Sequence, residues 1–313
     1  MTEFARIASL ARLFGATRAH GVELGIGDDA AVLAPRSGER LVWTIDEQVE
    51  WVHFRSDLVD WHDVGWRSFM AAASDLAAMG ARPWCALAAL VLPADFPDEA
   101  LFALAAGQQE ASEAIGAPLV GGNLARGSAV SVATTLLGHA RTPVRRDCAA
   151  AGELLWLAGD LGLAAAGLRG LLGGVVDSRL DAALRAWRRP VARIDAGLTM
   201  AARASAAMDI SDGLVQDLGH LVRASGVRAM LDAARLLEHG GDCLAQAAAA
   251  IGADPLDLIL EGGEDYAIVA ASSSPLKGFV RIGEVVEGEG VFLRETTGER
   301  RVEVLGFDHF RKL

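Results

Sequence analysis

The sequence predicts an α/β protein built from two domains. Its length of 313 residues exceeds the usual size of one domain, and 52% of the residues are hydrophobic, enough for two packed cores. Segments with the two-residue alternation of strands and segments with helical periodicity follow one another along both halves. This pattern lapses at RTPVRRDCAAAGE, residues 141–153. We therefore predict one domain over residues 1–148 and a second over 149–313.

The first half reads as a mixture of helices and strands. Apolar residues at helical spacing predict helices over residues 3–14, 63–79 and 99–115. Alternating or continuous apolar runs, such as AVSVATTLLG, predict strands over residues 41–46, 84–92 and 129–138.

The second half begins again with a strand of its own, at residues 153–157. Helices are predicted over residues 162–172, 179–188, 193–205, 213–224 and 242–252. Strands are predicted over residues 228–232, 266–271, 279–286 and 290–294.

Charge and cysteine content exclude several classes of function. A net charge of −12 argues against binding to nucleic acid and against a basic membrane-binding surface. The three cysteines are widely spaced and form no CxxC pair, so neither a disulfide framework nor a zinc site is expected, and a cytoplasmic location follows. The most apolar stretch, residues 154–176, contains Asp160, Arg169 and several glycines, which argues against a membrane span.

Acidic residues recur beside glycine or hydroxyl residues in five short motifs. They are GIGDDAA at 25–31, TID at 44–46, SD at 74–75, MDISDGL at 208–214 and GGED at 262–265. Carboxylates on tight turns are hard oxygen ligands, and several together suit Mg²⁺ better than zinc. A solvated acidic turn is the competing interpretation of each motif taken alone.

Lysine is almost absent, which restricts how phosphates could be bound. Only Lys277 and Lys312 occur, so no P-loop lysine is available. The GIGDDA segment also fits the G-x-G-x-x-A pattern of dinucleotide-binding loops. However, Asp28 and Asp29 would place negative charge where that loop offers free N–H groups to an anion. Metal ions and arginines must therefore supply the positive charge at any phosphate site.

Local geometry favours some of these acids as ligands. Thr44 and Asp46 alternate along a predicted strand and so share one face. Asp75 lies within a helix, where an unpaired carboxylate is unfavourable. Asp209 and Ser211 share one side of an extended segment. Asp212 is either a ligand or the N-cap of the helix that follows, and both interpretations stay open.

No arrangement of residues suggests zinc binding or covalent catalysis. The histidines show no HExxH spacing, and the chain has neither a GxSxG elbow nor a Cys-His pattern. VGGN at 120–123 is predicted to be a turn that follows an apolar segment and carries the oxygen-bearing side chain of Asn123.

Taken in order, the motifs resemble those of the thiamine-monophosphate kinases. That family belongs to the superfamily of aminoimidazole ribonucleotide synthetase-like ATP-binding proteins. The resemblance runs from Glu3 to Phe310 and rests on these motifs: GIGDDAAVL, TID, VHF at 52–54, SDLAAMGARP at 74–83, LVGGN, MDISDGLVQDLGHL at 208–221, GGEDYAI at 262–268 and GFDHF at 306–310.

The resemblance implies a fold, a set of ligands and an activity. The fold is a two-domain α/β protomer, α+β in layout, with residues 1–148 as the ATP- and Mg-binding dimerisation domain. Its N-terminal sheet forms a β-barrel across a homodimer, and ATP lies between the domains. The activity is direct transfer of phosphate from ATP to thiamine monophosphate.

The resemblance also assigns roles to residues. The ligands of several Mg²⁺ ions are Asp29, Thr44, Asp46, Asp75, Asn123, Asp209 and Asp212, with Asp28 as support and Ile45 able to offer only its backbone oxygen. The residues that contact nucleotide are Gly122, Asn123, Arg146 and Ser211. The residues that hold thiamine monophosphate are His53, Glu264 and Phe307. Asp46, Asp75 and Asp212 are assigned to catalysis, and any need for K⁺ stays open.

Two alternatives remain at this level. The chain could be another enzyme of the same ATP-binding superfamily. It could also be a non-catalytic Mg–nucleotide-binding protein, which Ile45 and Asn123 would favour because both weaken the expected metal site.

Overall fold

The computed structural model describes residues 37–303, the backbone of residues 22–24 and 32–33, and the single residues Ser9, Arg12 and Leu13. The predicted helix over 3–14 therefore lies largely outside the described residues. The chain divides into two compact units. The first consists of residues 1–76 and 81–142, and the second of residues 77–80 and 143–313.

The first unit is built on a four-stranded sheet with two helices. The sheet order is β3-β6-β4-β5, and β1 pairs with β2 in a separate antiparallel ribbon. The strands are β1 Val22–Leu24, β2 Val32–Leu33, β3 Arg40–Val49, β4 Arg82–Leu92, β5 Leu119–Arg126 and β6 Ser131–Ala140, and the helices are α1 Trp61–Ala78 and α2 Asp98–Ile115.

Helices α1 and α2 approach each other closely at two glycines. A Cβ at Gly65 would lie 1.9 Å from the carbonyl oxygen of Leu104, and a Cβ at Gly107 would lie 1.8 Å from that of His62. Neither distance leaves room for a carbon atom, so this crossing depends on glycine in both helices.

The second unit contains a seven-stranded mixed sheet and six helices among the described residues. The sheet order is β13-β12-β9-β11-β7-β10-β8, with β12 parallel to β9 and the other pairs antiparallel. The strands are β7 Leu154–Ala158, β8 Ala206–Ile210, β9 Arg228–Asp232, β10 Ala267–Ser272, β11 Val280–Val286, β12 Gly290–Glu295 and β13 Gly298–Arg301. The helices are α3 Leu163–Leu172, α4 Asp181–Arg188, α5 Ile194–Met200, α6 Leu214–Ser225, α7 Ala233–Ile251 and α8 Pro255–Glu261.

The N-terminus of α3 is stabilised by a distant carboxylate. Its N-cap residue is Gly162, which has no side chain and adopts φ 79°. Asp265 Oδ2 instead accepts the Gly162 N–H at 2.8 Å, and the N–H of Ala164 also donates to this carboxyl. Burial raises the pKa of Asp265 well above its ordinary value, while these two hydrogen bonds oppose the rise.

The structure confirms most of the predicted elements and corrects three. VGGN does not end in a turn, since it lies inside β5, where two consecutive glycines had hidden the strand pattern. Helix α7 begins at Ala233, nine residues before its predicted start, with a kink at Gly241. Helix α5 ends at Met200, before the predicted residue 205.

In the part of the chain that the structure describes, no single helix is long and apolar enough to cross a membrane. Helices α7 and α8 together have sufficient length and apolar composition, but they are bent by 102° relative to each other.

Replacing Gly107 with alanine should disrupt the α1–α2 crossing. We expect the free energy of unfolding to fall by about 1–3 kcal/mol, because the new methyl group overlaps the His62 carbonyl. Gly219→Ala is the matched control, since a Cβ there meets nothing within 4 Å. The free energy of unfolding of that control should rise by about 0.5–1 kcal/mol, because alanine has a higher helix propensity than glycine. Urea unfolding of both variants measures the difference, and equal effects would contradict the crossing.

Replacing Asp265 with alanine should loosen the start of α3. Two backbone N–H groups lose their acceptor. We therefore expect the free energy of unfolding, measured with urea, to fall by about 1–3 kcal/mol. The control is Asp160→Ala in the same turn, because the Asp160 side chain is 67% exposed and pairs with Arg193 only across 3.3 Å. That control should leave the unfolding midpoint almost unchanged. An unchanged midpoint for Asp265→Ala would show that α3 does not need this carboxylate.

Candidate functional site

In the first unit, three of the predicted ligands lie on neighbouring elements. Thr44 and Asp46 share the inner face of β3, as their alternation predicts. The Thr44 hydroxyl donates a short hydrogen bond to Asp75 Oδ2 on α1. Asp46 Oδ1 accepts from Gln48 Nε2 at 3.2 Å. All three are half-buried, so their oxygen atoms form a polar strip between strand and helix.

Two other predicted ligands belong to the opposite face of the same sheet. Residues in register across a sheet point to the same side. Asn123 is in register with Ala89, Ala89 with Ala133, and Ala133 with Glu47. Asn123 therefore lies on the same face of the sheet as Glu47. Ile45 lies on that face as well, because it is two residues before Glu47 in β3. The structure does not bring the Asn123 side chain together with that of Asp46.

Gly122 has a structural requirement of its own. A Cβ at this position would lie 2.1 Å from the Ala88 carbonyl oxygen, so β5 can pair with β4 only if residue 122 is glycine. The exposed backbone at residue 122 is thereby left without a side chain above it.

His53 lies in a tight turn directly after β3. Its Nδ1 accepts the Val49 N–H at 3.0 Å, which places the proton of a neutral ring on Nε2. The turn also contains Trp51 with φ 68°, a conformation usually reserved for glycine. The ring orientation of His53 is thus determined by the backbone at the end of the strand that carries Asp46.

In the second unit, the MDISDGL motif forms the end of β8 and the loop before α6. Asp209 is a buried residue of β8, paired in register with Ile268 of β10. Ser211 and Asp212 follow in the loop, both half-buried. The edge position of β8 in the sheet places this loop at the margin of the second unit's core.

Asp217 organises this loop, although none of the five acidic motifs contains it. Its Oδ2 accepts three backbone N–H groups, from Ser211 at 2.9 Å, Asp212 at 3.0 Å and Gly213 at 3.2 Å. Burial raises the pKa of Asp217 to about 7, and the hydrogen bonds partly oppose that rise because they favour the ionised form. A signal existed in the sequence, since Asp217 falls on the buried face of α6 with Leu214 and Leu218.

The interpretation of Asp212 as a helix N-cap is wrong. The N-cap of α6 is Gly213, with φ 123° and no side-chain capping hydrogen bond. The Asp212 carboxylate instead accepts from Gln216 Nε2 at 3.1 Å. Since Asp217 takes over the loop N–H groups, the Asp212 carboxylate is not needed to cap the helix.

The GGED motif packs directly against this loop. The Glu264 N–H donates to the Ser211 carbonyl at 2.7 Å, and the Tyr266 N–H donates to the Ile210 carbonyl at 2.8 Å. A Cβ at Gly263 would lie 2.6 Å from the Ser211 oxygen, which explains the glycine. Glu264 and Tyr266 both have positive φ, 66° and 49°. Such strained residues cluster at functional sites. The two motifs are hydrogen-bonded neighbours and form one candidate site.

Arg146 and His220 lie beside and on α6, the helix that follows this loop. The Arg146 carbonyl accepts from Ser225 Oγ at 2.9 Å, which fixes its backbone beside α6. Partial burial lowers the pKa of His220, and the nearby charges of Arg223 and Arg146 lower it further. His220 therefore favours its neutral form, and arginine charge lies close to it on α6.

The remaining predicted residues, Asp28, Asp29 and Phe307, lie outside the described residues. Within residues 37–303, no three His, Cys, Asp or Glu side chains form a group that could hold a metal ion by themselves. The donor set still fits Mg²⁺, which is commonly held by one or two carboxylates together with substrate phosphates. Thr44, Asp46 and Asp75 supply only hard oxygen donors, as Mg²⁺ requires.

Comparison with known proteins identifies relatives over nearly the whole chain. Residues 27–140 match the model of the family AIR synthase related protein, N-terminal domain. The thiamine-monophosphate kinase of Mycobacterium tuberculosis is 39% identical, and the alignment covers 98% of this chain and 91% of that protein.

Two solved structures also superpose on this chain. The crystal structure of thiamine-monophosphate kinase from Stenotrophomonas maltophilia K279a has a TM-score of 0.82 at 32% identity, and 94% of this chain and 96% of that one are covered. A structure described as AaThiL complexed with AMPPCP and TMP has a TM-score of 0.82 at 31% identity, with 98% and 97% covered. The chain belongs to the thiamine-monophosphate kinase family.

Proposed function

We propose that this chain transfers the γ-phosphoryl group of ATP to thiamine monophosphate, giving thiamine diphosphate and ADP. One observation carries the proposal beyond family membership. The Ser211–Gly213 loop and the Glu264 turn, which contain predicted nucleotide, metal and substrate residues, are hydrogen-bonded into a single unit.

The oxygen-bearing side chains are proposed to hold Mg²⁺. Bound Mg²⁺ neutralises charge on the phosphates and on the transferring phosphoryl group. The proposed ligands are Thr44, Asp46, Asp75, Asp209 and Asp212, together with Asp28 and Asp29. Asn123 and the backbone oxygen of Ile45 are proposed as ligands of a different ion among the several, because Asn123 lies on the opposite face of the sheet from Asp46. The half-buried positions of Thr44, Asp46 and Asp75 support their role, since the carboxylates are shielded from water but not desolvated completely.

No general base is required for the transfer. The second pKa of a phosphate monoester is near 6, so the acceptor oxygen of thiamine monophosphate is already ionised at neutral pH. The obstacle is repulsion between two anions, and the chain has no lysine between residues 1 and 276 to reduce it. Arg146 is proposed to contact the nucleotide, as are Ser211, Gly122 and Asn123.

Thiamine monophosphate is proposed to contact His53, Glu264 and Phe307. His53 Nδ1 accepts the Val49 N–H, so the proton of the neutral ring lies on Nε2. The Glu264 carboxylate suits a cationic or N–H-bearing ring, and it accepts from the Tyr266 hydroxyl at 3.3 Å. Phe307 can stack on a planar ring.

We infer that the enzyme works as a homodimer whose two N-terminal sheets face each other in a barrel. The argument is the reversed polarity of β3. Its inner face carries Thr44 and Asp46, whereas its outer face exposes Leu41 (52%), Trp43 (72%) and Ile45 (66%). An apolar sheet face of this kind normally packs against a partner. The three free cysteines fit a reducing cytoplasm.

The proposed activity is tested by direct assay. Purified protein with ATP, MgCl₂, KCl and thiamine monophosphate should yield thiamine diphosphate, measured as its fluorescent oxidation product. Asp46→Asn and Asp212→Asn should each lower kcat by roughly 100-fold or more, because a charged metal ligand is lost.

Asp57→Asn is the matched control for these variants. Asp57 is an exposed partner of Arg55 in the same unit as Asp46, and its replacement should leave kcat unchanged. Nucleotide binding without product would favour a non-catalytic Mg–nucleotide-binding protein. Near-normal rates for both Asp variants would show that these carboxylates are not ligands.

The dimer is tested by one charge on the outer face of β3. Wild-type protein should have twice the chain mass of 32.7 kDa in light scattering, and Trp43→Asp should shift it toward one chain. Val176→Asp is the control, since Val176 is a fully exposed apolar residue of the second unit. A monomeric wild type, or a dimeric Trp43→Asp variant, would contradict the proposed interface.

A further inference from the structure

The loop between β8 and α6 has its polar backbone groups satisfied from two sides. The N–H groups of Ser211, Asp212 and Gly213 converge on one oxygen of Asp217. On the other side, the carbonyls of Ile210 and Ser211 accept from the backbone of the GGED turn. Among the described residues, Asp217 alone accepts from all three loop N–H groups through its side chain.

The Asp217 carboxylate is buried, so it needs these N–H donors. Asp217 is 1% exposed and lies on the inner face of α6, whose own first hydrogen bond runs from the Asp217 N–H to the Gly213 carbonyl at 3.0 Å. A buried carboxylate is tolerated when several N–H groups donate to it. The loop is thereby folded back over the first turn of α6, and its conformation depends on where that carboxylate is.

The same helix also orients the Asp212 side chain. Gln216 Nε2 donates to Asp212 Oδ2 at 3.1 Å, while Asp217 fixes the Asp212 backbone. Two adjacent residues of α6 thus determine the position and the rotation of this proposed metal ligand. Through Ser211, the same anchor reaches the Glu264 turn at 2.7 Å.

We propose that Asp217 is a positioning residue for phosphoryl transfer: it holds the Ser211–Gly213 backbone so that Asp212 and Ser211 present their oxygens to the metal-bound phosphates. This inference rests on the proposed kinase function and assigns a role to a residue that does not itself contact substrate. Partners behind metal ligands commonly affect metal affinity or activity by about 10- to 100-fold.

The test is Asp217→Asn, which keeps the shape and one acceptor oxygen but removes the charge. Hydrogen bonds to a neutral oxygen are about half as strong, so the loop should loosen without loss of the fold. We expect kcat to fall about 10- to 100-fold and the Mg²⁺ concentration for half-maximal rate to rise by a similar factor. The KM for thiamine monophosphate should change less than about threefold, because the Glu264 turn runs directly into β10, whose pairing with β8 does not involve Asp217.

A readout that does not need turnover accompanies the kinetics. Hydrogen exchange of the Ser211–Gly213 amides should be faster in Asp217→Asn than in wild type, and calorimetry should show weaker binding of a non-hydrolysable Mg–ATP analogue. Asp254→Asn is the control, since Asp254 Oδ1 accepts the Leu256 N–H at the start of α8 at 2.8 Å. That variant should match wild type in rate, Mg²⁺ dependence and loop exchange, because Asn also caps helices well.

The outcomes separate this inference from the proposed function. An inactive wild type would contradict the kinase function, whereas an active wild type with an Asp217→Asn variant of unchanged rate and Mg²⁺ dependence would overturn the positioning role. If the Asp217→Asn variant does not fold, hydrogen exchange of the Ser211–Gly213 amides in the wild-type protein tests the positioning role instead. Protected Ser211–Gly213 amides support the anchor, and amides that exchange as fast as the exposed turn at 287–289 overturn it.

Discussion

Partial burial of carboxylates is the constraint on which the proposed site depends. A metal ligand has to be shielded from water, yet a buried carboxylate without partners is costly. The half-buried acids meet this constraint with different partners, Asp75 with the Thr44 hydroxyl and Asp46 with the Gln48 amide. Asp217, which is fully buried and is not a proposed ligand, has three backbone N–H groups as donors. In each case the donors that partner the carboxylate carry no positive charge, and for Asp217 they only partly oppose the rise in pKa that burial causes.

The same constraint explains the reversed faces of β3. A strand at the surface usually buries its apolar face and exposes its polar face. In β3 the half-buried face carries Thr44 and Asp46, and the exposed face carries Trp43 and Ile45. This polarity is expected where a polar face serves a binding site and a partner surface packs on the apolar face. The proposed metal site and the proposed dimer are therefore two consequences of one sequence pattern.

Much of this arrangement is readable from the sequence, and the exceptions have physical causes. The alternation in WTIDEQV placed Thr44 and Asp46 on one face, because strand periodicity does not depend on distant contacts. β5 was missed since Gly121 and Gly122 carry no periodic side chain, although close approach to β4 requires glycine at position 122. Asp212 was given a possible capping role on local grounds, which cannot show that Asp217, five residues later, already binds the loop N–H groups.

Because Asp217 accepts the N–H groups before α6, the N-terminus of this helix cannot bind ligands as a free helix terminus does. Free N–H groups before a helix ordinarily attract an anion, and many proteins bind phosphate in this way. Here the three N–H groups before α6 are occupied by a carboxylate of the same helix, so they are not available to a phosphate. What the loop presents instead is the Asp212 carboxylate, which attracts cations. In a chain with only two lysines, the charge that offsets a phosphate at this loop has to come from a metal ion or an arginine, because Asp217 already occupies the loop N–H groups.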